Sequence, residues 1–344
     1  MTKNISLTNK EAIVRFKSYS GMNAFFDKFQ KKLNVPKSEL MLTELTSSAR
    51  NYNTTDIFST LNFVVLTSEK MWQENGKNII FLEDQDTVNS LLNLKFTAKI
   101  STGLTMDFSS FMLSVPTGAK FNGKPIPPCL ISIEDFDIWK SSAESVLTDD
   151  LGMAPKLNFK TEGRESNVMR VIIPDHSTPQ AAYKSVCVPL SKLPLIVNTP
   201  LEKMNKELYL ELIGQYSAAS LELDSEDEIV EQMVILRLVV AMAIYNRLTN
   251  NEFFRTGVPT NALSPKYMGL SKDVGKAATK YVFSKPHQAL KGTKGAHVRS
   301  AHIRQYTDEK YYQGEYSKLA IGERFTLVSE ALVGEGEPHT QSAK

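Results

Sequence analysis

Hydrophobic positions near the start of the chain recur every three or four residues. Between residues 21 and 33 they form an aromatic stripe opposite a row of lysines, which predicts an amphipathic helix with its stripe facing the core. A second helix is predicted over 55–73 and a further turn over 86–92. The pattern therefore predicts an N-terminal helical region spanning residues 1–93. The stripe of the first helix consists of Met22, Phe25, Phe26, Phe29 and Leu33.

From residue 94 to residue 198 the pattern changes to short apolar or alternating runs separated by prolines and glycines. Such runs are typical of β-strands joined by tight turns. No helical pattern lies between them, so we expect a largely antiparallel sheet of about five to seven strands rather than a parallel one. The runs are 94–100, 110–115, 129–133, 157–160, 168–173 and 186–190.

Helical patterns return in a third region, residues 199–334. An amphipathic helix is expected over 201–216, and Glu226–Leu248 is apolar on nearly all sides, which predicts a buried helix. Ser225 and Glu228 form a capping box at its start.

The end of the chain is predicted to form a basic β-hairpin. Residues 272–283 fit either a basic helix or a strand, whereas 297–306 and 323–333 fit two strands. Residues 335–344 are polar, and we expect a disordered tail. The predicted fold class is α+β, with a central, mostly antiparallel sheet flanked by N-terminal and C-terminal helices.

Charge is unevenly distributed along a chain whose bulk composition is ordinary. The 344 residues are 42% hydrophobic and 23% charged, with a net charge of only +2. Residues 271–318 nevertheless carry ten basic and four acidic side chains, whereas 201–231 carry nine acidic and two basic ones. A local basic excess of this kind attracts polyanions.

The sequence gives no sign of a membrane segment, a leader peptide or a disulfide framework. Cys129 and Cys187 both lie in apolar runs and are expected to be core residues in a reducing cytoplasm. The first residues lack the apolar core of a signal peptide, and the most apolar helix is interrupted by Arg237. We expect a soluble intracellular protein.

The candidate chemistry lies in a doubled His-apolar-Arg unit inside the basic segment. The units are His297-Val298-Arg299 and His302-Ile303-Arg304. Arginines and lysines neutralise phosphates, while histidine and tyrosine rings hydrogen-bond to or stack on unpaired bases. A solvated strand face is the alternative interpretation of the same pattern. The predicted RNA-binding residues are Lys285, Lys291, Lys294, His297, Arg299, His302, Arg304, Tyr306, Tyr311 and Tyr312.

Other chemistries fit the same segment less well. The spacing of His297 and His302 does not match the usual metal pairs, and no nucleotide-binding or hydrolase motif occurs, so we expect no metal and no cofactor. Two histidines near a cation also fit a metal-independent ribonuclease, one acting as base and the other as acid. Strand alternation places the two on opposite faces unless a bulge at Ser300-Ala301 rejoins them, so whether the chain is an enzyme stays open and binding is preferred.

Residues 297–306 resemble the C-terminal signature of a known family. This is the type V-A anti-CRISPR family of phages and plasmids, which blocks production of the CRISPR effector nuclease. Its signature reads Pro-His-Val-Arg-Arg-Gly-His-Trp followed, after a basic or polar position, by an aromatic residue. The retained residues include His297, Arg299, His302, Arg304 and Tyr306, and the departures are Ala296, Ser300, Ala301 and Ile303.

The resemblance implies a protein that acts on messenger RNA and the nascent chain in an infected bacterium. We expect a phage-encoded, non-catalytic mRNA-binding protein in the host cytoplasm, with the ribosome, a nascent chain or a phage protein as further partners. An anti-CRISPR-like inhibitor of effector production is the alternative that the resemblance suggests. A pure protein–protein adaptor that uses the stripe of Phe25, Phe26 and Phe29 remains a third class.

Overall fold

A computed structural model describes most of the chain and has an α+β architecture, as predicted. The described residues are 16–17, 19, 21–51, 60–96, 108–116, 118–154, 167–175, 182–200, 203–213, 226–248, 254–259, 279–283, 297–299, 302–328 and 331–333.

The described helices number eight. They are α1 Met22–Leu33, α2 Lys37–Asn51, α3 Leu61–Glu74, α4 Gln85–Leu92, α5 Phe136–Ser145, α6 Leu193–Asn198, α7 Lys206–Ile213 and α8 Glu226–Leu248. The strands are β1 Phe16–Lys17, β2 Asn78–Leu82, β3 Lys95–Phe96, β4 Ser110–Pro116, β5 Lys120–Phe121, β6 Lys124–Pro125, β7 Cys129–Asp135, β8 Asn167–Asp175, β9 Ala182–Pro189, β10 Phe254–Thr256, β11 Thr279–Phe283, β12 His297–Arg299, β13 His302–Tyr306, β14 Arg324–Val328 and β15 Ala331–Val333.

One mixed sheet forms the centre, in the order β10-β11-β2-β4-β7-β8-β9, with β1 paired to β4. Strand β2 is parallel to both β11 and β4, and the other described pairs of this sheet are antiparallel. The mostly antiparallel sheet is therefore confirmed. The sheet also contains β2, β10 and β11. These strands lie outside the region 94–198 in which the sequence pattern predicted the central sheet.

Alternating side chains of β2 explain why this short run lies at the centre. Ile80 and Leu82 are buried with α4, α6, α7 and α8, whereas Ile79 and Phe81 are buried with α1, α2, α3 and α5. Because both faces are covered by helices, the strand is apolar after Asn78 and shows no alternation in its sequence. N-terminal helices cover one face and C-terminal helices, joined by α4, cover the other.

Several boundaries differ from the sequence-based expectations. The strand predicted over 94–100 is described only as β3, which joins a separate three-stranded sheet with β13 and β14. Helix α3 begins at Leu61, and the strand expected over 157–160 lies outside the described residues. Helices α2, α5 and α6 were not predicted, and α6 lies within the region assigned to the sheet. In α2, the buried residues Met41, Leu45 and Ala49 recur every four positions and form one apolar stripe.

Helix α8 runs over the predicted range and is buried along its middle. Tyr209 donates to Gln232 Oε1 at 2.8 Å, which supplies a partner inside the core for one polar atom of α8. Among the described helices, none is long and apolar enough to cross a membrane. Cys129 and Cys187 are both free thiols and buried, as expected of core residues.

The guanidinium of Arg237 lies inside the core with only 5% of the residue exposed. It donates to Leu92 O at 3.1 Å and Leu94 O at 2.9 Å, at the end of α4. It also donates to Ile196 O at 3.1 Å and Thr199 O at 2.8 Å, at the end of α6. Carbonyls at helix C-termini lack partners within the helix and carry partial negative charge, so one arginine caps two helices and joins them to α8.

Replacement of Arg237 by methionine should lower the free energy of unfolding by about 3–5 kcal/mol, because four buried carbonyls lose their donor. Arg237→Lys should recover only part of this loss, since an ammonium cannot reproduce the fork of donors. Urea denaturation followed by circular dichroism measures both values.

The matched control is Arg50→Met on the exposed last turn of α2, which should change stability by less than about 0.5 kcal/mol. An equal effect of the two substitutions would show that the buried hydrogen bonds do not hold the C-terminal helices.

Candidate nucleic-acid interface

The C-terminal strands form a β-hairpin, as predicted. Strand β13 pairs antiparallel with β14, from His302↔Val328 to Tyr306↔Arg324, and β12 pairs antiparallel with β15, beginning at His297↔Val333. The intervals between the paired segments are equally long, 300–301 and 329–330. A bulge would shift the register by one residue, and the register is unchanged. The pairing therefore gives no support to the bulge that a histidine pair would need.

The hairpin is attached to the rest of the protein along two surfaces. The edge of β13 that faces away from β14 pairs in parallel with β3, and His302 lies opposite Lys95. Strand β14 contacts α8, and Phe325 packs against the core cluster that α8 dominates. Long-range contacts thus fix the base of the hairpin on the C-terminal helical layer.

Residues 307–323, which connect β13 to β14, form two short 3-10 turns, Glu309–Tyr311 and Gly314–Lys318. Asp308 caps the first turn by accepting from Lys310 N at 3.1 Å and forms an ion pair with Lys310 Nζ at 2.9 Å. The hydrogen bond from Lys310 lowers the pKa of the Asp308 carboxyl, and the same contact raises the pKa of the lysine.

The hydroxyl of Tyr312 holds this connection closed. It donates to Tyr306 O at 2.5 Å and accepts from Gly322 N at 2.7 Å and Arg324 N at 3.1 Å. One side chain therefore ties the connection to both strands at the point where they leave the ladder. This is a structural role for a residue that the sequence suggested as an RNA contact.

A second set of contacts places two tyrosine rings, and the carbonyl of a third tyrosine, against Arg324. Its guanidinium carbon lies 3.6 Å from the ring centroid of Tyr316 and 5.0 Å from that of Tyr306, and it donates to Tyr311 O. The rings of Tyr306 and Tyr311 lie 4.5 Å apart at an interplanar angle of 48°. The arginine orients the rings through cation–π contacts. We call Tyr306, Tyr311, Tyr316 and Arg324 the tyrosine cluster.

Arg304 lies beside this cluster. It is two residues before Tyr306 on β13, so both side chains point to the same face, and Arg304 is exposed. Among the described residues, the side chain of Arg304 has no hydrogen-bond or ion-pair partner, and the same is true of Lys318. Arg304 is thus available to a ligand that contacts the rings.

The charge of the described interface is balanced, in contrast to the segment as a whole. Residues 302–328 contain four basic and four acidic side chains. The basic excess therefore lies upstream, largely on lysines outside the described residues, which include Lys285, Lys291 and Lys294.

The structure thus brings together only part of the predicted site. Arg304 and Tyr306 share one face of β13, Tyr311 contacts the Tyr306 ring, and the Tyr312 hydroxyl bonds the backbone of the hairpin. The backbones of His297, Arg299 and His302 are described within β12 and β13, but their side chains lie outside what is described. Sequence reasoning missed the roles of Tyr316 and Arg324. The register Tyr306↔Arg324, deducible only once the hairpin is aligned, is the signal that links them.

A buried acid, Glu69, lies on the opposite side of the sheet. Glu69 is 2% exposed and accepts from Met22 N at 2.5 Å, Asn23 N at 2.8 Å, Asn23 Nδ2 at 2.7 Å and the Tyr19 hydroxyl at 3.3 Å. A Cβ on Gly21 would lie 2.3 Å from the carboxylate, so this position needs glycine. Burial raises the pKa of Glu69 to about 7. The backbone donors belong to the first turn of α1, so the carboxylate caps that helix.

No group of three or more potential metal ligands occurs within the part of the chain that the structure describes. In comparisons with family models, curated proteins and solved structures, nothing matches this chain.

Replacement of Tyr312 by phenylalanine should loosen residues 307–323 while the sheet and helices stay intact. Two backbone donors and one carbonyl lose their shared partner, so hydrogen–deuterium exchange of Gly322 and Arg324 should accelerate by at least about tenfold. Tyr316→Phe is the matched control, because it keeps the ring that contacts Arg324. Equal exchange in the two variants would contradict the role of the Tyr312 hydroxyl.

Stability should depend on the protonation of Glu69. The carboxyl holds its proton up to about pH 7 when folded but only to about pH 4.5 when unfolded, so this group lowers stability as pH rises between these values. The loss is on the order of 3 kcal/mol. Denaturation of the parent and Glu69→Gln at several pH values measures it. Parallel curves for the two proteins would rule out the effect, since glutamine does not titrate.

Proposed function

We propose that this protein binds single-stranded RNA through its C-terminal hairpin and does not cleave it. The observation that carries the proposal is the tilted ring pair of Tyr306 and Tyr311 beside the exposed Arg304. Aromatic rings stack on unpaired bases, and an adjacent guanidinium binds the phosphate that joins two neighbouring nucleotides.

The tyrosine cluster is suited to stacking because its rings are already positioned. Arg324 contacts Tyr306 and Tyr316, while 38% of Tyr311 remains exposed. A ring held in place loses little conformational freedom on binding, so more of the stacking energy appears as affinity. Each base stack contributes about 1–3 kcal/mol.

Electrostatic attraction is assigned to a different part of the segment. Lys310 is paired with Asp308, so Arg304 and Lys318 are the phosphate contacts that we assign within the described interface. Arg299, Lys285, Lys291 and Lys294 extend the basic track upstream in the sequence. Such contacts release counterions from RNA and make binding sensitive to salt.

The resemblance at 297–306 supports messenger RNA as the class of RNA and the cytoplasm of an infected bacterium as the place of action. It also supports a more specific version, in which the transcript and nascent chain of a CRISPR effector are the target. Both versions require the same RNA contact.

Replacing Arg299 and Arg304 together by alanine should weaken binding of labelled single-stranded RNA at least tenfold and flatten its salt dependence. Each lost phosphate contact removes roughly 0.7 from the slope of log K against log salt. Fluorescence anisotropy at several salt concentrations, in EDTA, measures both quantities. The matched control is Lys28→Ala with Lys31→Ala, which removes the same charge from the exposed face of α1.

Stacking is tested separately at Tyr311. Tyr311→Leu should weaken binding with little change in the salt slope, whereas Tyr311→Phe should bind like the parent because the ring is kept. If the parent cleaves the RNA in EDTA and His302→Ala does not, the protein is a ribonuclease and the non-catalytic proposal is wrong. Failure of the parent to bind RNA at low salt would leave the adaptor hypothesis.

A further inference from the structure

A second concave site lies away from the tyrosine cluster. A pocket of about 560 Å³ opens between the β5–β6 hairpin, strand β9 and the first turns of α8. Pockets of roughly 300–1,000 Å³ are typical of sites that bury small organic ligands. None of the residues that we assign to RNA binding lines this pocket.

The wall formed by the hairpin is rigid. Asn122 and Gly123 have φ angles of 49° and 81°, which fits a two-residue turn of type I′ between β5 and β6. Ile126 N donates to Ala119 O at 2.9 Å at the base of the hairpin. Lys120 N donates to Gln85 Oε1 at 3.0 Å and thereby joins the hairpin to α4. The pocket is therefore largely preformed on this side.

The inner surface of the pocket is apolar. Val230 and Val234 are four residues apart on α8 and so share one face of the helix. Val234 and Ile126 are nearly fully buried, at 2% and 7% exposure, and belong to the main core cluster. Phe121 lines the pocket from the hairpin. An apolar part of a ligand would be held against these side chains.

Charges of both signs surround this apolar surface. Lys124 and Lys184 line the pocket together with Glu228 and Glu231. Lys184 and Glu228 form an ion pair whose side chains are 26% and 27% exposed, so water and a ligand can reach both partners. A ligand of a single charge would meet two groups of like sign. A ligand with both charges complements all four.

We propose that this pocket binds a small zwitterion with an apolar body, of the size of a dipeptide with hydrophobic side chains. The ligand's carboxylate pairs with the lysines, its ammonium pairs with the glutamates, and its side chains pack on Val230, Val234 and Ile126. Charge-assisted hydrogen bonds at each end would select the free termini over blocked ones.

The probe for this site is the dipeptide leucyl-phenylalanine with free termini, titrated by calorimetry into the full-length protein. Saturable binding is expected, and the N-acetylated and C-amidated forms should each bind at least about tenfold more weakly, since each loses one charged contact. Absence of saturable binding at millimolar dipeptide overturns the proposal. Equal affinity for the blocked and free forms overturns it as well.

Two substitutions locate the site. Val230→Trp fills the pocket from a partly exposed position and should abolish dipeptide binding. Glu231→Gln keeps the shape of its side chain and should weaken binding several-fold, whereas Glu211→Gln on the exposed face of α7 should have no effect. A thermal melt shows whether each variant folds. Undiminished binding by the folded Val230→Trp and Glu231→Gln proteins would place the dipeptide elsewhere.

Measurements of RNA binding test whether the pocket and the hairpin are separate sites. Val230→Trp should bind RNA like the parent, and the Arg299→Ala, Arg304→Ala protein should bind the dipeptide like the parent. Loss of both activities in a single folded variant would contradict the assignment of two separate sites.

Discussion

The single positive charge of Arg237 organises the C-terminal half of the structure. An ionised side chain inside a core is tolerated only where hydrogen bonds replace its hydration, and here four carbonyls supply them. Those carbonyls come from the ends of α4 and α6, elements separated by about a hundred residues in the sequence. Hydrophobic contact alone lets helices slide over the sheet, whereas four directed bonds fix their ends. Arg237, in the middle of α8, therefore fixes the positions of α4 and α6 within the layer that they share with α8.

Both candidate sites depend on that helix. The pocket uses Val230, Glu231 and Val234 from the first turns of α8, and the hairpin is seated on the same core cluster through Phe325. Sites built on a buried helix are held more accurately than sites on loops alone. On the other side of the sheet, the Glu69 carboxyl accepts from the backbone donors at the start of α1. Buried polar side chains thus cap opposite ends of helices in the two layers.

The sequence predicted those features that depend on local periodicity. Helix α8, the strands β4, β7 and β8 and the C-terminal hairpin all carry a clear pattern, and each is present. Strand β2 was missed because a strand buried on both faces has no alternation, and four apolar residues do not distinguish strand from helix. Arg237 was recognised only as an interruption of an apolar helix. Its partners lie up to 145 positions away in the chain, so no local pattern reveals its role.

The candidate RNA site shows the same limit at the level of chemistry. Counting charges identified a basic segment, but it did not distinguish Lys310, which is paired with Asp308, from the exposed Arg304. Arg324, which contacts the rings of Tyr306 and Tyr316, lies beyond the counted segment. Tyr311 and Tyr312 are neighbours in sequence and were treated alike, yet one ring is exposed and the other residue bonds three backbone groups. Because the described interface is electrically balanced, the RNA binding proposed for it requires selectivity from stacking and geometry. Under that proposal, the long-range attraction of a polyanion falls to the lysines upstream, and different parts of one segment would carry affinity and selectivity.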